Sequence, residues 1–158
     1  MTVAIIWHSR TGASQAMAQA VADGAGELAR LVPVGHADAD LLASAGALIF
    51  VCPENLGTMS GAMKEMFDRN YYPLLGRIEG KPYASAIAAG SAGQGAEAKI
   101  DHIASGWRLR RVAESLIVNL AAQTPESILE SKVVPKHDLA RCRELGQAIA
   151  EGISLGIF

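Results

Sequence analysis

The stretch IIWHSRTGASQAMAQAVADGA, residues 5–25, decides the fold of this chain. Its apolar run stops at small hydroxyl residues and Gly12, and a pattern of helix length begins directly afterwards, over residues 13–29. Small and apolar residues recur in that pattern at helical spacing, which is typical of a helix that packs closely on a sheet. The stretch therefore predicts a buried strand, a short polar loop and a helix.

The same alternation continues along the rest of the chain. Apolar runs at 47–52 and 83–89 are typical of strands buried on both faces, and weaker strand candidates lie at 31–36 and 113–118. Helices are predicted at 61–72, 94–106 and 137–152, with shorter ones capped by Asp38 and by Thr124. This order predicts an α/β fold, in which a single domain, residues 1–158, contains a doubly wound parallel sheet of five strands.

Composition excludes several classes of protein. Half of the residues are hydrophobic and 19% are charged, which excludes a disordered chain. A net charge of −2 does not favour nucleic-acid binding, and the first apolar run is too short for a signal peptide or a membrane span. Two distant cysteines, Cys52 and Cys142, predict neither a disulfide framework nor a metal site. We therefore expect a soluble, cytoplasmic protein.

Three loops follow the carboxyl ends of the predicted strands, where sheets of this kind bind ligands: 8–14, 53–60 and 90–95. In the first, Gly12 lets a ligand approach the backbone, while Ser9, Thr11 and Ser14 offer hydroxyl groups at a helix N-terminus, an arrangement that favours phosphate. The loop has neither the Walker pattern nor the dinucleotide fingerprint. An ordinary strand-to-helix turn with Ser14 as the N-cap explains the same residues, so both interpretations stay open.

Three motifs, one at each loop, resemble a known family. HSRTGAS (8–14) is similar to the phosphate loop of flavodoxins. CPENLGTMSGAMKEMFDR (52–69) and AAGSAGQGAEAKIDHI (88–103) are similar to the flavin loops of flavodoxin-like NAD(P)H:quinone oxidoreductases of the tryptophan-repressor-binding-protein type and of NADPH-dependent FMN reductases. The resemblance covers residues 3–118. It implies a flavodoxin-like, three-layer αβα fold with strand order 2-1-3-4-5.

The resemblance also implies FMN as the cofactor and assigns residues to it. The phosphate would be held by Ser9, Arg10, Thr11, Gly12, Ala13 and Ser14. The flavin ring would lie along Pro53, Glu54, Asn55, Leu56, Gly57 and Thr58, with Gly90, Ser91, Gly93 and Gln94 on its other border. Related quinone reductases assemble as homodimers or homotetramers, so we expect a homo-oligomer.

Two departures from classical flavodoxins bear on the activity. Electron-carrier flavodoxins are strongly acidic and stack an aromatic side chain on the ring, whereas this chain is nearly neutral and neither flavin loop contains an aromatic residue. A ring with an open face favours hydride transfer from NAD(P)H through FMN to a quinone-like acceptor. A flavodoxin-type electron carrier and a flavin-free regulatory module remain as alternatives.

No catalytic side chain can be assigned. His8 and Glu54 are the titratable residues nearest the flavin by loop position, but the favoured interpretation of His8 is a strand-end histidine bonded to backbone. Met59, Met63 and Met66 have near-helical spacing and are predicted to pack in the core or at an interface, and Cys52 is predicted to be an inert thiol in the core. Residues 119–134 lie outside the resemblance and would form a lid or an interface helix.

Overall fold

The structure, a computed structural model, describes all residues from 1 to 158. Its strands are β1 Val3–Trp7, β2 Ala29–Pro33, β3 Ala47–Asn55, β4 Thr58–Met59, β5 Pro82–Ala89, β6 Arg110–Arg111 and β7 Leu116–Asn119. Its helices are α1 Ala13–Ala25, α2 Ala39–Ser44, α3 Gly61–Leu74, α4 Gln94–Gly106, α5 Pro125–Leu129 and α6 Lys136–Ser154. No helix is long and apolar enough to cross a membrane.

The sheet confirms the predicted doubly wound topology. Parallel strands run in the order β2-β1-β3-β5, and β6 and β7 both pair with the far side of β5. The order 2-1-3-4-5 is therefore present, but its fifth position is shared by two short segments with residues 112–115 between them. The two-residue β4 pairs antiparallel with the end of β3 and was not predicted.

Both faces of the sheet are covered by helices. Val3 and Ile5 belong to one buried cluster together with α1 and α6. Ala4 and Ile6, the residues that alternate with them, belong to a second cluster together with α2, α3 and α4. Because successive side chains of a strand point to opposite faces, this alternation confirms three αβα layers.

Three element ends differ from the sequence expectation. The strand predicted at 31–36 lies at Ala29–Pro33, because residues 34–36 form a 3₁₀ turn, and the strand predicted at 113–118 begins only at Leu116. The predicted helix 13–29 ends at Ala25, because Gly26 adopts a φ of 61° and a 3₁₀ turn (26–28) leads directly into β2. Both predicted N-caps are present: the Leu41 N–H donates to Asp38 at 2.8 Å, and Thr124 forms a capping box with Ser127.

The predicted core methionines are buried. Met63 and Met66 are fully buried and Met59 is 3% exposed, so packing explains their helical spacing. Cys52 and Cys142 are free thiols in the interior, and burial raises the pKa of Cys52 to about 12. Cys52 is therefore protonated and unreactive at neutral pH.

Candidate functional site

A cavity of about 520 Å³ lies at the carboxyl ends of β1, β3 and β5, where the three predicted loops meet. This volume lies in the range of small-molecule sites. Most of the residues predicted for the site line it: Ser9, Arg10, Thr11, Ala13, Ser14, Pro53, Glu54, Asn55, Leu56, Gly57, Gly90 and Ser91.

Four predicted residues do not line the cavity. Gly12 donates its N–H to Ser9 Oγ at the start of α1, and Gly93 is buried at the start of α4. Thr58 pairs with Asn55 in the β3–β4 ladder, and the Gln94 side chain is exposed at the start of α4. Gly12 and Gly93 are the N-caps of α1 and α4, so they shape the loops without lining the cavity.

The sequence analysis missed seven residues that line the cavity: Ala88, Ala89, Leu120, Ala122, Ile128, Leu129 and Lys132. Ala88 and Ala89 end β5 and precede the predicted third loop. The other five come from residues 119–134, for which a lid was one of two expectations. The Thr124-Pro125 cap signal predicts a helix there but carries no information on where that helix packs.

The first loop brings helix α1 to the cavity with its N-terminus free. Gly12 is the N-cap and adopts a φ of 99°, a left-handed conformation that favours glycine, and its N–H donates to Ser9 Oγ at 3.0 Å. The alternative that makes Ser14 the N-cap is therefore wrong, since Ser14 lies within the first turn. The first amide N–H groups of a helix have no intrahelical acceptor, so this loop presents them to a ligand.

Ser14 carries the clearest sign of a missing partner. Ser14 is 1% exposed, and its hydroxyl is the one buried side-chain polar atom of the protein that has no hydrogen-bond partner. Leaving a buried polar group unpaired costs about 1–3 kcal/mol. Because Ser14 also lines the cavity, a ligand oxygen at the α1 N-terminus would satisfy it.

The second loop is a tight β-hairpin. Glu54 and Asn55 pair with Met59 and Thr58, which leaves Leu56 and Gly57 as the two turn residues. Both have positive φ, 52° and 75°, as a type I′ turn requires. Leu56 is a fully exposed apolar side chain at the tip of the hairpin, with a strained backbone, and it lines the cavity.

Glu54 joins the second loop to the third. Its carboxylate accepts hydrogen bonds of 3.0 Å from the N–H groups of both Gly93 and Ala96, at the N-terminus of α4. Gly93 caps that helix with a φ of 101°, as Gly12 caps α1. The helix dipole and two N–H donors therefore offset the negative charge that Glu54 would otherwise bring to the cavity.

Residues 119–134 form a fourth wall. Asn119 donates to the Ser91 carbonyl and accepts from the Ala121 N–H at 2.9 Å, which holds this segment against the third loop. The Lys132 N–H donates to the Thr11 carbonyl at 2.8 Å, which holds its other end against the first loop. These contacts place the segment over the cavity, as a lid would lie, and the alternative of an interface helix stays open.

His8 lies beside the site and does not line it. Its Nδ1 forms a 2.9 Å hydrogen bond with the buried Ser60 hydroxyl, so its partner is a side chain and not the expected backbone group. Burial and, to a smaller extent, the charge of Arg10 lower the pKa of His8. His8 thus links the first loop to the start of α3 in its neutral form.

The cavity wall carries two cations and no aromatic side chain. Arg10 and Lys132 line it, and neither takes part in an ion pair. Glu54, whose charge is offset by α4, is the one acidic residue of the wall. The site therefore favours an anionic ligand. No aromatic side chain of the wall is available to stack on a flat ring.

Comparisons with known proteins agree with this architecture. A flavodoxin of Aquifex aeolicus (strain VF5) is 27% identical over 162 residues, which cover 97% of this chain and 87% of the relative. Among solved structures, a flavodoxin, WrbA-like protein from Agrobacterium tumefaciens superposes with a TM-score of 0.80 at 20% identity over 98% of both chains. A flavodoxin from the domain Archaea superposes with a TM-score of 0.77 at 19% identity, over 98% of this chain and 99% of its own.

The solved structures show the fold alone, and the family follows from a sequence profile. Residues 33–123 match the profile described as NADPH-dependent FMN reductase. This match covers β3 to β7, including the second and third loops of the cavity. Since it spans more than half of the chain, the protein belongs to the NADPH-dependent FMN reductase family.

Proposed function

We propose that the chain binds FMN in the 520 Å³ cavity and transfers a hydride from NAD(P)H, through the flavin, to a quinone or similar acceptor. The observation that carries the proposal is the unpaired, buried Ser14 hydroxyl at the free N-terminus of α1. A phosphate oxygen satisfies both the hydroxyl and the unpaired amides. No other buried side-chain polar atom in the chain lacks a partner.

In this proposal the first loop holds the phosphate. Ser14 and Thr11 donate their hydroxyls, and the amides after Gly12 donate from the helix N-terminus. Ser9 holds the loop by accepting from the Gly12 N–H. Hydrogen bonds to a charged group contribute about 1.5–3 kcal/mol each, so several of them supply a large share of the roughly 8 kcal/mol that micromolar binding requires.

The second and third loops border the flavin ring in the same proposal. FMN, when bound, supplies the chemistry of accepting a hydride and passing it on. Residues 53–57 of the hairpin, together with Gly90 and Ser91, would lie along the ring, and backbone amides of these two loops would donate to its polar edge. Glu54 holds these two walls together through its bonds to Gly93 and Ala96, so the ring meets a preorganised slot.

The absence of aromatic residues from the wall supports an enzyme with a second substrate. A ring that no side chain stacks on keeps a face open for a nicotinamide or a quinone. Exposed apolar side chains at the cavity, Leu56, Ile128 and Leu129, suit a flat and largely apolar acceptor.

One observation favours a second candidate function, an electron carrier that works with a redox partner. The curated relative from Aquifex aeolicus, which this chain matches over almost its full length, is described as a flavodoxin. The two candidates share the cavity and the cofactor. They differ in whether the protein itself accepts reducing equivalents from NAD(P)H.

A single titration separates the candidates. FMN is added to the purified protein, followed anaerobically by NADPH or NADH and then by a benzoquinone, while flavin absorbance is recorded. If the protein is the proposed enzyme, it should bind FMN, the flavin absorbance should be bleached by a nicotinamide, and the absorbance should recover when the quinone is added. Binding without bleaching would support the electron carrier, and no binding would overturn both.

We also propose that residues 1–158 form one domain that assembles as a homodimer or homotetramer. One sheet carries both buried clusters, which supports a single folding unit. Large apolar side chains are exposed away from the cavity, among them Tyr72, Leu75, Leu155 and Ile157. Light scattering on the purified protein measures the assembly, and a monomer at micromolar concentration would contradict it.

A further inference from the structure

The segment that contains α5 and leads from it to α6 contacts the first loop. We call residues 124–134 the strap. The Lys132 N–H donates to the Thr11 carbonyl at 2.8 Å, and a Cβ placed on Gly12 would lie 4.0 Å from the Lys132 carbonyl oxygen, which is van der Waals contact. Val134 is buried in the core and anchors the end of the strap. The backbone of Lys132 is thus held against the loop proposed to bind phosphate.

The Lys132 side chain is held within the strap, at the wall of the cavity. Its ammonium donates to the carbonyls of Ile128 at 2.8 Å and Glu130 at 2.7 Å, and Lys132 lines the cavity. An ammonium has three N–H donors, so one of them remains available. No carboxylate pairs with it, whereas five other basic side chains form ion pairs: Lys64, Arg69, Arg77, Arg111 and Arg141.

We propose that Lys132 is a specificity-determining residue that contacts the phosphate of bound FMN and makes the cavity select the phosphorylated flavin over riboflavin. This inference rests on the proposed function. A phosphate monoester carries a charge of about −1.5 to −2 at neutral pH, so the single positive charge of Arg10, together with neutral hydroxyls and amides, leaves part of that charge uncompensated. The two carbonyl contacts hold the ammonium in place, so its remaining donor binds the phosphate with little further loss of side-chain entropy.

The test compares two ligands that differ only in the phosphate. Dissociation constants for FMN and for riboflavin are measured by flavin fluorescence with the wild-type protein, Lys132→Gln, Lys132→Met and Lys132→Arg. Lys136→Gln is the matched control, since Lys136 is an exposed lysine on the neighbouring α6 that does not line the cavity.

We expect Lys132→Gln and Lys132→Met to weaken FMN binding by roughly tenfold, the effect of losing one hydrogen bond to a charged group. Riboflavin binding should stay unchanged, Lys132→Arg should keep most of the preference for FMN, and Lys136→Gln should resemble wild type. Added salt should lower the preference for FMN over riboflavin, and it should do so more in the wild-type protein than in the neutral variants, because screening weakens charge–charge attraction.

If Lys132→Gln and Lys132→Met weakened the binding of FMN and of riboflavin by the same factor, Lys132 would have a purely structural role in the strap and the inference would be overturned. Unchanged FMN affinity in both neutral variants would overturn it as well. A wild-type protein that binds neither flavin would instead refute the proposed function, so the two failures are distinguishable. Lys132→Met keeps an unbranched apolar stem and removes only the ammonium end of the side chain, which provides a second neutral variant if glutamine disturbs the strap.

Discussion

At the residue scale, Ser14 makes the sharpest prediction. Replacing Ser14 by alanine removes an unpaired buried hydroxyl, so the free energy of unfolding without ligand should stay unchanged or rise. FMN binding should weaken by about tenfold or more, because a hydrogen bond to phosphate, worth about 1.5–3 kcal/mol, is lost. Urea unfolding and flavin titration measure the two effects.

Ser85 offers the matched control for Ser14. It is equally buried at 1% exposure, but its hydroxyl bonds to the Ser115 hydroxyl at 2.7 Å. Ser85→Ala should therefore lower the free energy of unfolding by about 1 kcal/mol and leave FMN affinity unchanged. If Ser14→Ala behaved like Ser85→Ala, the phosphate assignment would be wrong.

His8 predicts a dependence of stability on pH. Because burial lowers its pKa in the folded protein below 6.5, the unfolded chain takes up the proton first as the pH falls. The stability contributed by neutral His8 is present above pH 6.5 and decreases as the pH falls through the window below it. His8→Asn should flatten this decrease in urea unfolding experiments between pH 7.5 and about 5. Identical pH profiles for the two proteins would contradict it.

At the scale of elements, the site depends on how the second loop is tied to α4. In Glu54→Gln, one carboxylate oxygen becomes an amide NH₂ that faces a backbone N–H donor, so one of the two bonds to Gly93 and Ala96 is lost. We expect a loss of about 1–3 kcal/mol in unfolding free energy and weaker flavin binding. Urea unfolding measures the first effect and flavin titration the second.

The control lies in the first turn of the same helix. Glu97 accepts no backbone hydrogen bond and only approaches Arg111 at 3.8 Å, so Glu97→Gln should cost less than about 1 kcal/mol. Equal stability of Glu54→Gln and Glu97→Gln would show that Glu54 does not hold the two loops together.

Secondary structure was largely predictable at this scale, because burial on both faces and helical spacing are local patterns. The strands at 47–52 and 83–89 and the caps at Asp38 and Thr124 all appear in the structure. The β3–β4 hairpin was not predicted, since its turn contains Leu56 at a positive φ, which local preference disfavours.

At the scale of the whole molecule, the first and last long helices pack against each other through small residues. A Cβ on Gly146 of α6 would collide with the Val21 carbonyl of α1, and one on Gly24 would collide with the Arg143 backbone. The small residues of α1 were expected to pack on the sheet, and the structure shows that they also let α6 pack closely against α1. Together α1, near the start of the chain, and α6, near its end, cover one face of the sheet.

Gly146→Ala should therefore lower the free energy of unfolding by about 1–3 kcal/mol, since two helix backbones must separate. Gly61→Ala is the control: Gly61 begins α3 with no atom within 4 Å of an added Cβ, so alanine should be neutral or stabilising. Thermal unfolding compares the two variants, and equal melting temperatures would contradict the close-packing argument.

The sequence by itself determined the αβα alternation and the order of the loops that meet at the site. These features depend on hydrophobic spacing and on glycines beside small hydroxyl residues, which act over a few neighbouring positions. Twelve of the predicted binding residues line the cavity because parallel strands deliver their loops to one edge of the sheet.

Only the tertiary structure decided what completes the site. The unpaired Ser14 hydroxyl, the bonds of Glu54 to α4 and the strap across Thr11 all join groups that are distant in sequence or depend on what surrounds them. Lys132 lies more than a hundred residues beyond the loop that it touches. Such contacts arise when separate elements pack on a common sheet, and no local pattern of residues encodes them.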